Sequence, residues 1–144
     1  MLDSRFALAQ DLKMPVRRYF SEVLDGRNFG LIRELFAPDY RDHDTANLDQ
    51  KRGADGEQEH VSVFLAAFPD ARFTIDEMVA ERDLVVTRWH AEGTHKGPLP
   101  GLALTGKRVH WNGMMMHRIE HGRIAEGWSV WDAQNFFQQL QHAE

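Results

Sequence analysis

Residues 107–132 constrain the fold most, because they have the pattern of one long β-hairpin. Two alternating runs flank His121-Gly122, and glycine accepts the positive φ that a two-residue hairpin turn requires. This turn predicts that His117 pairs with Glu126 across the hairpin. The predicted register places six notable side chains on one mostly apolar face: Trp111, Met115, His117, Glu126, Trp128 and Asp132. An ionisable group on such a face needs a partner or a functional role.

Length and composition favour one domain spanning residues 1–144. The chain has no cysteine, so histidines and carboxylates must carry any chemistry. Its net charge of -5 comes from interspersed acids and bases, which argues against a nucleic-acid partner or an anionic membrane surface. The sequence contains neither a basic leader nor a run of roughly 20 apolar residues. We therefore expect a soluble, cytoplasmic protein whose partner is a small organic molecule.

The first half of the chain has helical periodicity. It predicts three helices, over residues 15–26, 28–36 and 55–68, with the first either extended or loose before Pro15. Between the last two, residues 40–44 alternate and predict a short edge strand, which a polar loop to Gly53 follows.

The second half predicts strands. Residues 72–80 and 84–94 are expected to pair as neighbours, and a loop rich in proline and glycine over 95–106 leads to the hairpin. Residues 133–140 predict a short final helix. This order indicates an α+β domain, with helices on one face of a curved antiparallel sheet and a pocket on the sheet's inner face.

A further pattern consists of single residues and short runs in the second half of the chain. They are Phe68-Pro69-Asp70, Ile75-Asp76-Glu77-Met78-Val79-Ala80-Glu81, Val86, Arg88-Trp89, Gly93-Thr94-His95, Gly97, Gly101, Thr105-Gly106-Lys107, Gly113, Arg118, Gly122, Ile124, Glu126, Trp128, Asp132 and Gln139-Leu140. This pattern resembles the SnoaL-like polyketide cyclase family. The resemblance implies the cone-shaped α+β barrel of the superfamily that includes nuclear transport factor 2, ketosteroid isomerase and scytalone dehydratase.

The resemblance also implies chemistry. Members with known activity close a ring of an aromatic polyketide by intramolecular aldol condensation, without metal or cofactor. An aspartate of the last strand acts as acid/base, and Asp132 matches it here; His117 is the nearest match to the assisting histidine. From spacing alone, Asp132 is equally suited to cap the final helix, and a His117–Glu126 pair suits an ordinary ion pair.

Other side chains are candidates for substrate binding. Trp111, Trp128 and Met115 suit the walls of a pocket for a flat ring system. Arg88 and Trp89 point to opposite sides of their strand, so only one can line the pocket. The full set of predicted binding residues is Trp111, Met115, Trp128, Glu126, Arg88, Trp89, His95, His43 and Tyr19.

The sequence shows no histidine spacing typical of a metal site and no dinucleotide or phosphate-loop signature, so we expect neither metal nor cofactor. The expected substrate is a small hydrophobic or aromatic carbonyl compound. Two alternatives stay open: a binding module without catalysis, and an epoxide-hydrolase-like enzyme, which would need an inward arginine such as Arg88. Because Met114-Met115-Met116 cannot all face inward, an apolar outer face would indicate a homodimer or higher homo-oligomer.

Overall fold

The structure, a computed structural model, describes residues 4–44 and 52–141. The elements follow in the order α1 (Ser4–Arg18), a π-helical segment (Tyr19–Asp25), a 3₁₀ turn (Phe29–Leu31), α2 (Ile32–Leu35), β1 (Phe36–Asp42), α3 (Gly53–Ala67), β2 (Arg72–Glu81), β3 (Leu84–Thr94), β4 (Arg108–Glu120), β5 (Arg123–Trp131) and α4 (Ala133–Gln141). The first helix therefore extends well before Pro15, and most of the predicted polar loop, residues 45–51, lies outside the described residues.

The strands form one five-stranded sheet in the order β1-β5-β4-β3-β2. The antiparallel meander from β2 to β5 confirms the prediction from the strand patterns. The prediction of an entirely antiparallel sheet was wrong at one edge, because β1 pairs in parallel with β5. The two strands are far apart in sequence, so no local turn signal marks their pairing.

The hairpin of β4 and β5 turns at His121-Gly122, where φ is 53° and 74°. This confirms the predicted turn. The predicted register beyond it was wrong, because it slips by one residue between Arg118 and Ile119. Ala125 is the extra residue of this bulge, and both it and Ile124 are buried.

The four helices pack on the curved sheet and form the core with it. Phe36, Phe68 and Phe136, from β1, the end of α3 and α4, are fully buried. Phe136 lies 5.4 Å from Trp111 between ring centroids and seats the final helix on β4. The predicted α+β architecture is confirmed. None of the helices in the described ranges is long and apolar enough to cross a membrane.

Candidate active site

A cavity of about 170 Å³ lies between the inner face of the sheet and α3, with the π-helical segment at one side. Its polar end is formed by Tyr19, Tyr40, Asp42, Asp44, Glu57 and His117. Its aromatic end is formed by Phe64, Phe73, Trp89, Trp111 and Trp131. Among the described residues no lysine or arginine side chain lines the cavity.

The sheet register separates the two ends. Gly113 pairs with Trp89 on one side and Trp131 on the other, so these three residues form a row across the sheet. His117, which pairs with Gly127, lies four residues further along β4. At the usual rise per strand residue, the two rows are roughly 13 Å apart between backbones. The cavity therefore holds polar groups at one end and an apolar surface of tilted and edge-on aromatic rings at the other.

Glu57 at the polar end is 6% exposed, and its Oε1 accepts a hydrogen bond of 2.8 Å from the Tyr19 hydroxyl. Burial raises the pKa of Tyr19 well above its usual value, and the nearby Glu57 carboxylate raises it further. The hydroxyl therefore stays protonated and donates to Glu57, which orients a carboxylate inside the cavity.

His117 is also buried at this end, on the inner face of β4. Desolvation lowers its pKa to about 4. The imidazole is therefore neutral at pH 7 and has one N–H donor and one acceptor nitrogen. Its Nδ1 has no hydrogen-bond partner among the described residues. A neutral imidazole of this kind suits polarising a carbonyl group better than storing a positive charge.

Gly127 creates the space in which His117 and Tyr40 meet. A Cβ at Gly127 would lie 2.4 Å from the Tyr40 hydroxyl and 3.4 Å from Nε2 of His117. Burial raises the pKa of Tyr40 well above its usual value, so this hydroxyl is also protonated. Two neutral hydrogen-bonding groups thus converge beside one glycine.

Asp132 lies outside the cavity. It is exposed, and its Oδ1 accepts a hydrogen bond of 3.0 Å from the backbone N–H of Asn135, in the first turn of α4. This is the geometry of a helix N-cap. The prediction that Asp132 shares the cavity face with Trp111 was wrong, because β5 reaches this point out of the predicted register and the chain then turns into α4.

Glu126 faces away from His117 as well. The bulge places it opposite Arg118, whose Nε donates to it across 2.8 Å, while Nε2 of His43 lies 2.7 Å from its other oxygen. His43 also stacks on Trp128, with ring centroids 4.9 Å apart. Trp128 itself lines the cavity. His43 therefore packs against a ring that lines the cavity, and Glu126 holds His43 in place.

The structure shows where three further predicted binding residues lie: Trp89, Arg88 and His95. Trp89 faces the cavity, and Arg88 faces outward, where it donates a hydrogen bond of 2.8 Å to Glu77. His95 is fully buried away from the cavity, stacked on Phe68, with Nδ1 2.9 Å from the Thr105 hydroxyl. The epoxide-hydrolase alternative thus lacks the inward arginine that it required among the described residues.

Of the predicted site residues, the structure brings together His117, Tyr19, Trp89, Trp111, Met115 and Trp128. Sequence reasoning missed Tyr40, Asp42, Asp44 and Glu57. Two signals could have found them. Tyr40, Asp42 and Asp44 alternate along one extended segment, and so share a face. Glu57 lies four residues before Val61, on the predicted inward face of its helix.

Within the described residues, no group of three or more histidines and carboxylates is placed to hold a metal ion. The available chemistry is that of carboxylates, phenols, the neutral imidazole of His117 and the exposed imidazole of His60, which also lines the cavity.

The model of the SnoaL-like polyketide cyclase family matches residues 15–140. The chain belongs to this family. No curated protein matches the sequence.

Solved structures agree with this assignment. Two of the similar structures are each described as a "putative polyketide cyclase". The one from Acidithiobacillus ferrooxidans is 30% identical, with a TM-score of 0.83 over 93% of this chain and 96% of its own. The other, IdmH from Streptomyces antibioticus, is 29% identical, with a TM-score of 0.76 over 91% of this chain and 99% of its own. TsrD from Streptomyces laurentii is 22% identical and shares the fold, with a TM-score of 0.84 over 98% of both chains.

Proposed function

We propose that this SnoaL-like protein is a cofactor-independent enzyme of the cyclase type. Its reaction is an aldol-type ring closure, or a related lyase or isomerase step, on a polyketide-like or other apolar carbonyl compound. The observation that carries the proposal is that Glu57, an oriented and buried carboxylate, lines the same cavity as the neutral His117. A base and a hydrogen-bonding group are the two parts that enolate chemistry needs.

Glu57 acts as the general base. It removes a proton from the carbon next to a substrate carbonyl, and the electron pair of the broken C–H bond moves onto the carbonyl oxygen. His117 and Tyr40, both uncharged, stabilise this oxygen through hydrogen bonds as it gains negative charge. The Tyr19 hydroxyl holds Glu57 in place throughout.

Ring closure then follows from the same groups. The nucleophilic carbon of the enolate attacks a second carbonyl carbon of the same molecule, so one C–C bond forms and the second oxygen becomes an alkoxide. The proton carried by Glu57 passes to this alkoxide, which returns the carboxylate to its starting state. The planar rings of the substrate lie against the aromatic end of the cavity.

This assignment differs from the one that the family resemblance implies, since Asp132 caps α4 outside the cavity. A non-catalytic binding module is therefore the second candidate, because the matched aspartate does not reach the ligand space.

The two candidates differ in proton exchange at carbon. 2-Tetralone, a two-ring ketone with acidic C–H bonds beside its carbonyl, serves as the probe in deuterium oxide. We expect the protein to accelerate exchange at these positions well above the buffer rate, as followed by proton NMR. Binding of 2-tetralone without any acceleration would instead identify a binding module.

A further inference from the structure

The outer face of the sheet, opposite the cavity, carries apolar side chains at its centre. Its register brings five of them together in two neighbouring rows across β2 to β5: Val79, Val86 and Met116 in one row, and Met114 and Val130 in the next. We call this set the outer apolar surface. Val86 alternates along β3 with Val85 and Thr87, which are fully buried on the inner face. The surface therefore points away from the core.

Three of its side chains are open to solvent. Val130 is 71% exposed, Val79 60% and Met114 46%. Met114 belongs to β4, the middle strand of the five, so this exposure is not that of a fraying edge. Contiguous apolar surface of this kind, with polar groups around it, marks an interaction site.

The charges that flank the surface along the strands are compensated within the chain. Arg88 donates to Glu77 across 2.8 Å on one side, and Arg118 donates to Glu126 across 2.8 Å on the other. A strongly acidic or basic partner therefore gains little here. An identical face suits it better, because the second copy brings charges that are paired in the same way.

The outer face also has the relief that self-association needs. An open cavity of about 540 Å³ lies on it, and the exposed side chains of Met114 and Val130 stand at its border. One face thus offers both a depression and protruding side chains, as a two-fold interface between identical surfaces requires. Trp89 and Trp131 border this cavity and also line the inner one. A second copy here would therefore lie directly behind the aromatic end.

The face is large enough for a stable dimer. β3 is 11 residues long. At about 3.4 Å per residue and about 4.8 Å between strands, β2 to β5 present a flat area of roughly 700 Å². Side chains that stand on this area enlarge it, and a standard interface buries about 800 Å² on each partner.

We propose that the outer apolar surface binds a second copy of this chain, and that the protein is a homodimer with Met114 and Val130 near the centre of the interface. The proposal does not depend on the proposed catalytic function, since it rests on the opposite face of the sheet.

Sedimentation equilibrium of the wild-type chain at a series of concentrations measures the association. We expect a species of twice the chain mass of 16.6 kDa, with a dissociation constant in the micromolar range or below. A monomer at every concentration up to about 100 μM would overturn the proposal.

Val130→Glu tests whether the dimer uses this surface. At a position that is 71% exposed the new carboxylate stays hydrated in the monomer, but it would lose that water in the interface. We expect the dissociation constant to rise by at least about 100-fold. Val63→Glu makes the same change at another exposed valine, on α3, and should stay within about twofold of the wild type. No effect of Val130→Glu, or equal weakening by both variants, would overturn the proposed surface.

Met114→Ala provides a second variant that introduces no charge. It shortens a half-exposed side chain, so the monomer should fold as the wild type does, and far-UV circular dichroism checks this for every variant. We expect it to raise the dissociation constant by about tenfold, because it removes an apolar contact at the centre of the interface. If Val130→Glu does not fold, Met114→Ala decides, and an unchanged dissociation constant would overturn the proposal.

Discussion

The Tyr19 hydroxyl donates to Glu57 across 2.8 Å and joins the π-helical segment to α3 at the polar end of the cavity. Both groups are buried. Loss of this donor removes a charge-assisted hydrogen bond from a desolvated carboxylate, which is costly because water does not readily replace it.

Tyr19→Phe is therefore expected to lower the free energy of unfolding by roughly 1–3 kcal/mol, as measured by urea denaturation. Glu57→Met serves as the partner in a double-mutant cycle. In that background, Tyr19→Phe should cost markedly less, because the hydroxyl has lost its acceptor. Identical costs in both backgrounds would show that the hydrogen bond contributes little.

The cap at Asp132 gives a second prediction. Asp132→Ala leaves the backbone N–H of Asn135 without its acceptor, so α4 should lose about 1 kcal/mol of stability. Asp132→Asn retains an acceptor oxygen and should stay within a few tenths of a kcal/mol of the wild type. Chemical denaturation of both variants separates capping from charge. An equally large loss with asparagine would show that the carboxylate acts through something other than the cap.

The third prediction concerns pH. The pKa of His117 is about 4 in the folded protein, below the value near 6.5 that applies when the chain unfolds. Between these values the unfolded chain binds more protons than the folded one. His117 should therefore make the protein less stable as pH falls from about 6.5 to about 4, and leave stability unaffected by pH above that window.

His117→Gln removes this titration while keeping a polar side chain. Urea unfolding at several pH values should show a shallower loss for the variant than for the wild type between about pH 6.5 and 4. Because the carboxylates titrate in both proteins, the difference between the two slopes isolates His117. Parallel slopes would mean that the folded protein accommodates the charged imidazole.

Gly127 gives a fourth prediction, since a Cβ there would lie 2.4 Å from the Tyr40 hydroxyl. Gly127→Ala should destabilise the protein by roughly 1–3 kcal/mol through overpacking. The closest atom is the hydroxyl, so Tyr40→Phe should relieve part of this cost. Thermal unfolding of the two single variants and the double variant measures that coupling. Strictly additive losses would place the strain elsewhere.

Local patterns predicted most of the fold. Alternation identified β2 to β5, and His121-Gly122 fixed the hairpin turn, because side-chain periodicity and a positive φ are local properties. The parallel pairing of β1 with β5 escaped prediction because it depends on how distant segments meet.

The prediction of the site residues depended on the pairing register of β4 and β5, which the bulge shifts by one residue. The consecutive apolar pair Ile124-Ala125 interrupts the alternation and marks the bulge. Without that bulge, Glu126 would lie beside His117; with it, Gly127 takes that place. The aromatic residues of the cavity were still predicted correctly, because an apolar side chain predicts burial whichever residue it pairs with. The catalytic assignment did not, because it requires particular polar atoms to meet.

Two residues are candidates for the general base: Glu57, which lines the cavity, and Asp132, which caps α4. The most direct test measures deuterium exchange into 2-tetralone by the wild type, Glu57→Gln and Asp132→Asn, each change removing one carboxylate charge. We predict that Glu57→Gln slows catalysed exchange by about 100-fold or more, as expected for loss of a general base, and that Asp132→Asn matches the wild type within about twofold. Retained exchange in Glu57→Gln, or its loss in Asp132→Asn, would contradict the assignment of Glu57 as the base.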